Sequence, residues 1–399
     1  MRNKSASTSP RASKLDPELA RPELYINREL SAVGFIQRVL AEAHSPRHPL
    51  LDRVRFLSFV GNQLDEYLMV RFAGLKDQSL AQVTDAGPDG LLPGQQIDLL
   101  RARLLEIFVD QRRMLCAELL PALAEAGVAV LDYDRLTRTQ REAADRAFDT
   151  SIFPVLTPLG VDPGHPFPHI SSRSLNLAVT LRDPVAGQLF ARLKLPNKLP
   201  RFVPVPAGRE RARLNGHAPH GHTPQGRGPL AHYSFVWLEQ LIAAHLGQLF
   251  PGVEVIAAHP FRVLRDADFE IQSDEAGDLL ETIEQGLRQR RFGSVIALMV
   301  QPEMPGAVRE LLCENLEMET EDIWELEGPL GLDDVSQLTA LDRPDLKAPP
   351  LVAAVPTELR RGQDPFSAIR RGDLLLHHPY DAFSSVADFI AAAARDPQA

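Results

Sequence analysis

Basic residues are concentrated in the segment 192–201, RLKLPNKLPR, which contains no acid and four cations: Arg192, Lys194, Lys198 and Arg201. Cations grouped in this way can hold a polyanion by displacing its counterions, and such binding weakens steeply with salt. A solvated surface is the alternative interpretation, because basic runs are common on protein surfaces. The segment is therefore a candidate polyanion site.

Two side-chain amides, Asn62 and Gln63, precede the carboxylates Asp65 and Glu66 in a stretch with helical periodicity. An amide carries both a donor and an acceptor, so it can hydrogen-bond to the edge of a nucleobase. The i, i+4 spacing of Asn62 and Glu66 equally suits a hydrogen bond on the surface of a helix. The spacing alone leaves both interpretations open.

Histidine is the other residue type that could take part in phosphoryl chemistry, as a nucleophile. His377 and His378 follow an apolar LLL and precede Pro-Tyr, where a histidine more often satisfies a turn, and no Lys follows at His-x-Lys spacing. The Gly- and Pro-rich stretch contains four histidines: His217, His220, His222 and His232. A flexible loop is favoured over a metal site for this stretch. The GxxxxGK[ST], GxGxxG, HExxH, GxSxG and CxxC motifs are absent, so we predict no catalytic residue and no metal ligand.

Composition limits the class of protein. The 399 residues include 44% apolar and 24% charged types and carry a net charge of −10, which is typical of a globular protein with more than one domain. The negative charge argues against a nucleic-acid partner, so any polyanion contact should be local. Cys116 and Cys313 are the only cysteines, and neither a secretory signal nor a transmembrane segment is predicted. We expect a cytoplasmic protein.

Periodicity predicts an α+β multi-domain fold. After a flexible tail (1–22), helices over 23–128 predict an antiparallel bundle, with Gly61 as a possible break in the second helix. Residues 129–337 mix strands and helices, with an exposed loop at 206–231 and an amphipathic helix over 235–252. Residues 338–399 begin as a Pro-rich linker and then resemble the opening of a further domain.

The order of motifs resembles that of bacterial polyphosphate kinases of the large multi-domain type. The resemblance is carried by YINRELS, FLSFVGNQLDEYLMVRFAGLK, LTPLGVDPGHPFPHISSRSLNLAV, RLKLPNKLPRFVPV, FRVLRDADFEI, EGPLGLDDVSQLTALDRPDLKAPP and GDLLLHHPYDAF, and it spans roughly residues 23–399. It implies a helical amino-terminal domain, a head domain with dimer contacts and a basic tunnel, and the opening segment of a phospholipase-D-like catalytic domain.

The resemblance also implies chemistry. Enzymes of the family move the terminal phosphate of ATP onto polyphosphate through a phosphohistidine, with magnesium, and release ADP. It implies a polyphosphate contact for Lys194, Lys198 and Arg201, and a nucleotide contact at Gln63, where the family carries Asn, with Asn62 as a substitute. The family's His-x-Lys element and magnesium-binding residues have no counterpart in this chain.

Two hypotheses follow. The first is the amino-terminal portion of a polyphosphate kinase, inactive without a separate catalytic half. The second is a noncatalytic module that binds polyphosphate, dimerises or regulates another kinase. Homo-oligomerisation or association with a catalytic half is expected from the resemblance.

Overall fold

The computed structural model describes residues 21–161, 167–185, 187–207, 232–267, 293–360 and 363–397. The chain divides into two compact units, Met1–Lys347 and Ala348–Ala399. Almost all of the predicted tail and of the predicted 206–231 loop lie outside the described residues.

Long helices form the amino-terminal part of the first unit. They are α1 (Arg28–His44), α2 (Leu50–Glu66), α3 (Ala73–Leu80), α4 (Pro93–Arg113) and α5 (Leu120–Glu125), with π-helical turns joining α2 to α3 and α4 to α5. The side chain of Asn27 accepts from the N–H groups of Glu29 and Leu30 and so caps α1. The predicted break at Gly61 is wrong, because α2 continues through it and the irregular turn begins at Tyr67.

Two sheets follow in the described residues. A three-stranded sheet has the order β1-β6-β5 and a six-stranded sheet the order β2-β4-β3-β7-β8-β9. The strands are β1 (Val128–Leu131), β2 (Pro158–Val161), β3 (Leu175–Asp183), β4 (Gly187–Lys194), β5 (Phe202–Val205), β6 (Tyr233–Trp237), β7 (Glu254–Arg265), β8 (Val295–Val300) and β9 (Ile323–Glu325). The helices between them are α6 (Arg138–Ala147), α7 (Leu238–Ala244), α8 (Leu246–Leu249) and α9 (Gly306–Leu316).

The predicted helix over 235–252 is partly wrong. Its first residues belong to β6, which pairs in parallel with β1 and antiparallel with β5. The run Tyr-Ser-Phe-Val-Trp is aromatic and β-branched, and a short apolar run of this kind suits a buried strand as well as a helix. The segment is helical only over Leu238–Ala244 and Leu246–Leu249.

One buried apolar core joins the helices to the sheets. Leu64 and Leu104 from the helices belong to the same cluster as Leu177, Leu193 and Met299 from the six-stranded sheet. The other face of that sheet is covered by α9 through a second, smaller cluster. Since helices and sheets share a core, the predicted domain boundary near residue 128 stays a prediction.

The second unit holds α10 (Pro365–Arg371) and α11 (Ser384–Ala393). The backbone N–H of His377 donates to Oδ2 of Asp381 at 2.7 Å, and Nδ1 of His378 lies 2.7 Å from the carbonyl oxygen of Asp381. Both histidines thus take part in a local turn, which is the interpretation that their sequence context favours. Among the described helices of either unit, none is both long and apolar enough to cross a membrane.

Candidate functional site

The segment 169–176 (HISSRSLN) leads into β3 and connects two groups of charged side chains. Oγ of Ser172 accepts from the N–H of Arg265 at 3.0 Å. The N–H of Arg173 donates to the carbonyl of Val263 at 2.8 Å. Both bonds attach the segment to β7, so its side chains have fixed positions relative to the six-stranded sheet.

The first group lies on the sheet face that carries Asn176. In the β3–β4 pairing Lys194 is opposite Asn176 and Arg192 is opposite Ala178, so both cations project to the same side. Nζ of Lys194 donates to Oγ of Ser171 at 2.7 Å, and Nε of Arg192 donates to Oδ1 of Asn176 at 2.8 Å. These bonds orient each cation through a neutral oxygen, which leaves its positive charge unbalanced.

Arg265 and His169 complete this group. The guanidinium of Arg265 donates to the carbonyls of Ile170 and Gly293, each at 2.8 Å. We call His169, Arg192, Lys194 and Arg265 the basic cluster. Within the described residues, no ion pair involves its Arg or Lys members.

The lowered pKa values of the basic cluster show that its positive charges are destabilised in the free protein. Burial, and then the charges of Arg265, Arg192 and Lys194, lower the pKa of His169 to about 4. Burial lowers the pKa of Arg192 and Arg265, and burial together with Arg192 lowers that of Lys194. Cations that crowd together without carboxylates are stabilised when an anion binds among them. The geometry therefore suits an anionic ligand.

Lys198 and Arg201 differ sharply in exposure, although only two residues lie between them in the sequence. Lys198 is exposed, whereas Arg201 is only 3% exposed. Nη2 of Arg201 donates to Oε1 of Glu239 at 2.6 Å, Nη1 donates to the carbonyl of Gly331, and the guanidinium carbon lies 5.2 Å from the ring centroid of Trp237. Arg201 thus faces the interior in this structure.

The second group, which we call the ion cluster, contains Asp65, Arg173, Arg262 and Asp333. Arg262 donates to both carboxylate oxygens of Asp65 at 2.6 Å each, and its Nη2 lies 3.4 Å from Oδ1 of Asp333. Nε of Arg173 lies 3.3 Å from Oδ2 of Asp65, and its Nη2 donates to Oδ2 of Asp333 at 3.1 Å. Each cation here has at least one carboxylate partner.

The electrostatics of the ion cluster are the reverse of those of the basic cluster. Burial opposes the charge of Arg262, but the charge of Asp65, its hydrogen bonds and the charges of Asp333 and Asp334 together raise the pKa of Arg262 above its ordinary value. A bidentate guanidinium–carboxylate pair of this geometry is among the stronger hydrogen-bonded pairs in proteins. The ion cluster joins α2 to the sheet and to the segment that contains Asp333.

One of the two predicted amides, Asn62, bonds to the ion cluster. Asn62 is exposed, and its Oδ1 accepts from Nη2 of Arg173 at 2.7 Å. Gln63 is partly buried, and its Oε1 is buried without a hydrogen-bond partner among the described residues. A buried acceptor without a partner is unfavourable unless a ligand supplies a donor.

Sequence reasoning missed five participants in these clusters: His169, Arg173, Arg262, Arg265 and Asp333. Each lies within a stretch quoted for the resemblance, HISSRSLN, FRVLRD or GLDDVS. No spacing rule connects the first two stretches, because the antiparallel pairing of β3 with β7 brings them together. The signal was therefore the retained motif and not any local pattern of charge.

The described residues do not fit a magnesium ion. They contain no group of three His, Cys, Asp or Glu side chains arranged as a metal site. Asp65 and Asp333 already accept from arginines, so their oxygens are not available as hard-metal ligands. We assign no magnesium-dependent step to these residues.

Comparison with known proteins identifies the family. Residues 25–131 match the polyphosphate kinase N-terminal domain, residues 139–338 the middle domain and residues 364–399 the C-terminal domain 1. The polyphosphate kinase of Prosthecochloris aestuarii is 43% identical over 390 residues, which cover 96% of this chain. The chain belongs to the polyphosphate kinase family. The resemblance inferred from the motifs is confirmed.

Other polyphosphate kinases match this chain over a similar share of its length. Polyphosphate kinase 1 of Chlorobaculum tepidum is 43% identical over 95% of this chain. The crystal structure of the polyphosphate kinase from Porphyromonas gingivalis superposes with a TM-score of 0.72 over 93% of this chain, at 24% identity, which supports the predicted α+β multi-domain fold. This chain covers 52% of each of the two sequence relatives and 50% of the crystallised chain, so it spans about half their length.

Proposed function

We propose that this chain is the substrate-binding, amino-terminal portion of a polyphosphate kinase, which transfers the terminal phosphate of ATP to polyphosphate and releases ADP. The observation that carries the proposal is the basic cluster, whose Arg and Lys members form no ion pair within the described residues. A polyphosphate chain would displace counterions from these groups and balance their charge. Lys198, exposed just beyond β4, extends the same contact.

Phosphoryl transfer requires positioned cations on the phosphates and an in-line nucleophile. The basic cluster supplies cations, and the amides at Asn62 and Gln63 supply nucleotide contacts, with Gln63 standing where the family carries Asn. None of the histidines is followed by Lys two positions later. We therefore propose that the phosphohistidine and the magnesium ion belong to a catalytic part outside these 399 residues, and that these residues alone, in the cytoplasm, do not extend polyphosphate.

A noncatalytic role is the second candidate, and the basic cluster favours it equally, because binding polyphosphate needs no nucleophile. In that case the chain would dimerise with or regulate a complete kinase. The two candidates differ in one property: only the first predicts that adding a catalytic half with a His-x-Lys element restores synthesis.

The binding proposal is tested by retention of the chain on immobilised long-chain polyphosphate at increasing salt. We expect Lys194→Ala/Lys198→Ala to elute at lower salt, with the slope of log K against log salt reduced by about 2. The matched control is Arg135→Ala/Arg138→Ala, which removes two exposed cations that lie elsewhere and are paired with Asp132 and Glu142. Equal elution of both double variants would contradict the assignment.

The activity proposal is tested by incubating the chain with ATP, magnesium and a polyphosphate primer. We expect no chain growth and no phosphohistidine, and growth after addition of a catalytic half. Synthesis by the chain alone would show that the proposed division of labour is wrong.

A further inference from the structure

We propose that Arg173 is a positioning residue that fixes the amide of Asn62 with its nitrogen outward, so that Asn62 offers hydrogen-bond donors to an acceptor on a purine ring. The inference rests on the proposed nucleotide contact and adds to it a residue that sets the orientation of the contact.

The backbone of Arg173 has an unusual conformation. Its φ angle is +63°, in the left-handed region that residues other than Gly rarely adopt. The N–H of Arg173 donates to the carbonyl of Val263 at 2.8 Å, and its carbonyl accepts from Nε of Arg262 at 3.1 Å. The surroundings thus hold the strained conformation, and residues held in this way are concentrated at functional sites.

The side chain of Arg173 is fixed as firmly as its backbone. Its Nη2 donates to Asp333 at 3.1 Å and to Oδ1 of Asn62 at 2.7 Å, and its Nε lies 3.3 Å from Asp65. The two carboxylates belong to different segments, α2 and the 3-10 helix Leu332–Ala340. The guanidinium therefore has little freedom to turn away from Asn62.

A guanidinium can only donate hydrogen bonds, so the atom of Asn62 that faces Arg173 must be its oxygen. The amide nitrogen then faces away. Asn62 is exposed, and no side chain or carbonyl in the described ranges accepts a hydrogen bond from its Nδ2. Both donors of Asn62 are consequently directed at solvent or ligand.

The donors of Asn62 are sufficient for this contact without Gln63, whose Oε1 is buried in this structure. Adenine and guanine both present the ring nitrogen N7 as a hydrogen-bond acceptor. An outward amide donor can therefore bond to either base. The ligand class is a purine nucleotide.

The test measures binding of ATP and GTP to the full chain by calorimetric titration. Arg173→Met should weaken the binding of ATP and of GTP about 2- to 10-fold, as expected for the loss of one oriented hydrogen bond. Asn62→Asp keeps an acceptor, now charged, toward Arg173 but has no donor, so it should fold normally and bind ATP as weakly as Arg173→Met. The matched control, Arg182→Met, removes an exposed arginine paired with Glu254 at 3.1 Å and should change neither affinity.

A purely structural role for Arg173 predicts a different result. It would lower the unfolding midpoint of Arg173→Met, leave the nucleotide affinities of the folded variant unchanged and make Asn62→Asp harmless to ATP binding. Either of the last two results would overturn the proposal. If Arg173→Met does not fold, Asn62→Asp decides the question alone.

A second readout separates this inference from the proposed function. With selective ¹⁵N labelling of Asn, the heteronuclear NOE of the Asn62 side chain, assigned with Asn62→Ala, should show a rigid amide. A mobile amide in the unaltered chain would overturn the role of Arg173 whether or not ATP binds. A rigid amide with no ATP binding at millimolar concentration would instead overturn the nucleotide contact and, with it, the purine ligand assigned to Asn62.

Discussion

The ion cluster and the basic cluster are built from the same kinds of residue, and the 169–176 segment contributes to both, yet their charges are arranged in opposite ways. In the ion cluster Arg262 meets Asp65 through two hydrogen bonds of 2.6 Å. In the basic cluster Arg192 and Lys194 meet only neutral oxygens. The first arrangement is satisfied by the protein itself, and the second is satisfied only when an anion binds.

The comparison teaches that a basic residue predicts function only once its partner is known. Arg201 and Lys194 belong to one basic run, but Arg201 pairs with Glu239 in the interior. Removing one member of a buried pair destabilises the fold, because the other charge is left without its partner, whereas an unpaired group is available for a ligand.

The largest effect should come from breaking the buried pair of the ion cluster. Asp65→Ala leaves the guanidinium of Arg262 buried with a single, longer carboxylate contact, to Asp333 at 3.4 Å. We expect the free energy of unfolding, measured by urea denaturation, to fall by about 3 to 5 kcal/mol. The double variant Asp65→Leu/Arg262→Met should recover most of the loss, because it removes both charges. A loss below about 1 kcal/mol, as for an exposed pair, would contradict the contrast between the clusters.

Arg201 should behave as a member of the paired class despite its place in the basic run. Arg201→Met leaves Glu239, which is 9% exposed, without its bidentate partner, and should lower the free energy of unfolding by about 3 kcal/mol. Retention on polyphosphate should not change. Lys194→Ala should show the reverse pattern, with a stability change below about 1 kcal/mol and weaker retention. Loss of retention in a folded Arg201→Met variant would show instead that Arg201 contributes to polyphosphate binding.

A glycine pair tests how closely the ion cluster is packed. A Cβ added to Gly61 would lie 2.8 Å from the backbone nitrogen of Asp333 and 3.0 Å from the carbonyl carbon of Leu332, so Gly61→Ala should destabilise by about 1 to 3 kcal/mol. At Gly34, also within a helix, the nearest atom would be Nη1 of Arg38 at 3.9 Å. Gly34→Ala should therefore stabilise by up to about 1 kcal/mol. Thermal unfolding of both variants measures the difference, and equal effects would show that helix propensity alone governs Gly61.

These glycines show which features could be predicted from sequence. Helix periodicity gave α1, α2 and α4, because amphipathic spacing is a local property. The same reasoning predicts a helix break at Gly61, although α2 is regular there. The absence of a side chain at Gly61 instead lets the backbone of Asp333 approach α2 closely. A close approach by a segment so distant in the chain leaves no local trace in the sequence.

The candidate site was predictable only in part for the same reason. The basic run contains the exposed Lys198 and the partly buried Lys194, and their contact with polyphosphate stays a prediction. The burial of Arg201 in the same run depends on Glu239, which α7 supplies. His169 and Arg265 join the basic cluster through the packing of the 169–176 segment on β7. The burial of Arg201 and the membership of His169 and Arg265 both depend on contacts between segments that are distant in the chain. No local pattern in the sequence indicates such contacts.

The smallest effect expected is a pH dependence of polyphosphate binding that originates at His169. Its pKa is lowered from 6.5 to about 4 by burial and by Arg265, Arg192 and Lys194, so His169 is neutral in the free protein across most of that interval. A bound polyanion offsets the neighbouring cations and raises this pKa, so binding takes up a proton and affinity should increase as pH falls from 6.5 toward 4, by less than about tenfold per unit. Stability of the free chain should change in the opposite direction, because the unfolded state binds the proton that the folded state excludes.

Titration with long-chain polyphosphate, in which end groups are few, measures the pH dependence of binding. His169→Gln should flatten the profile, and an unchanged profile in that variant would place the titrating group elsewhere.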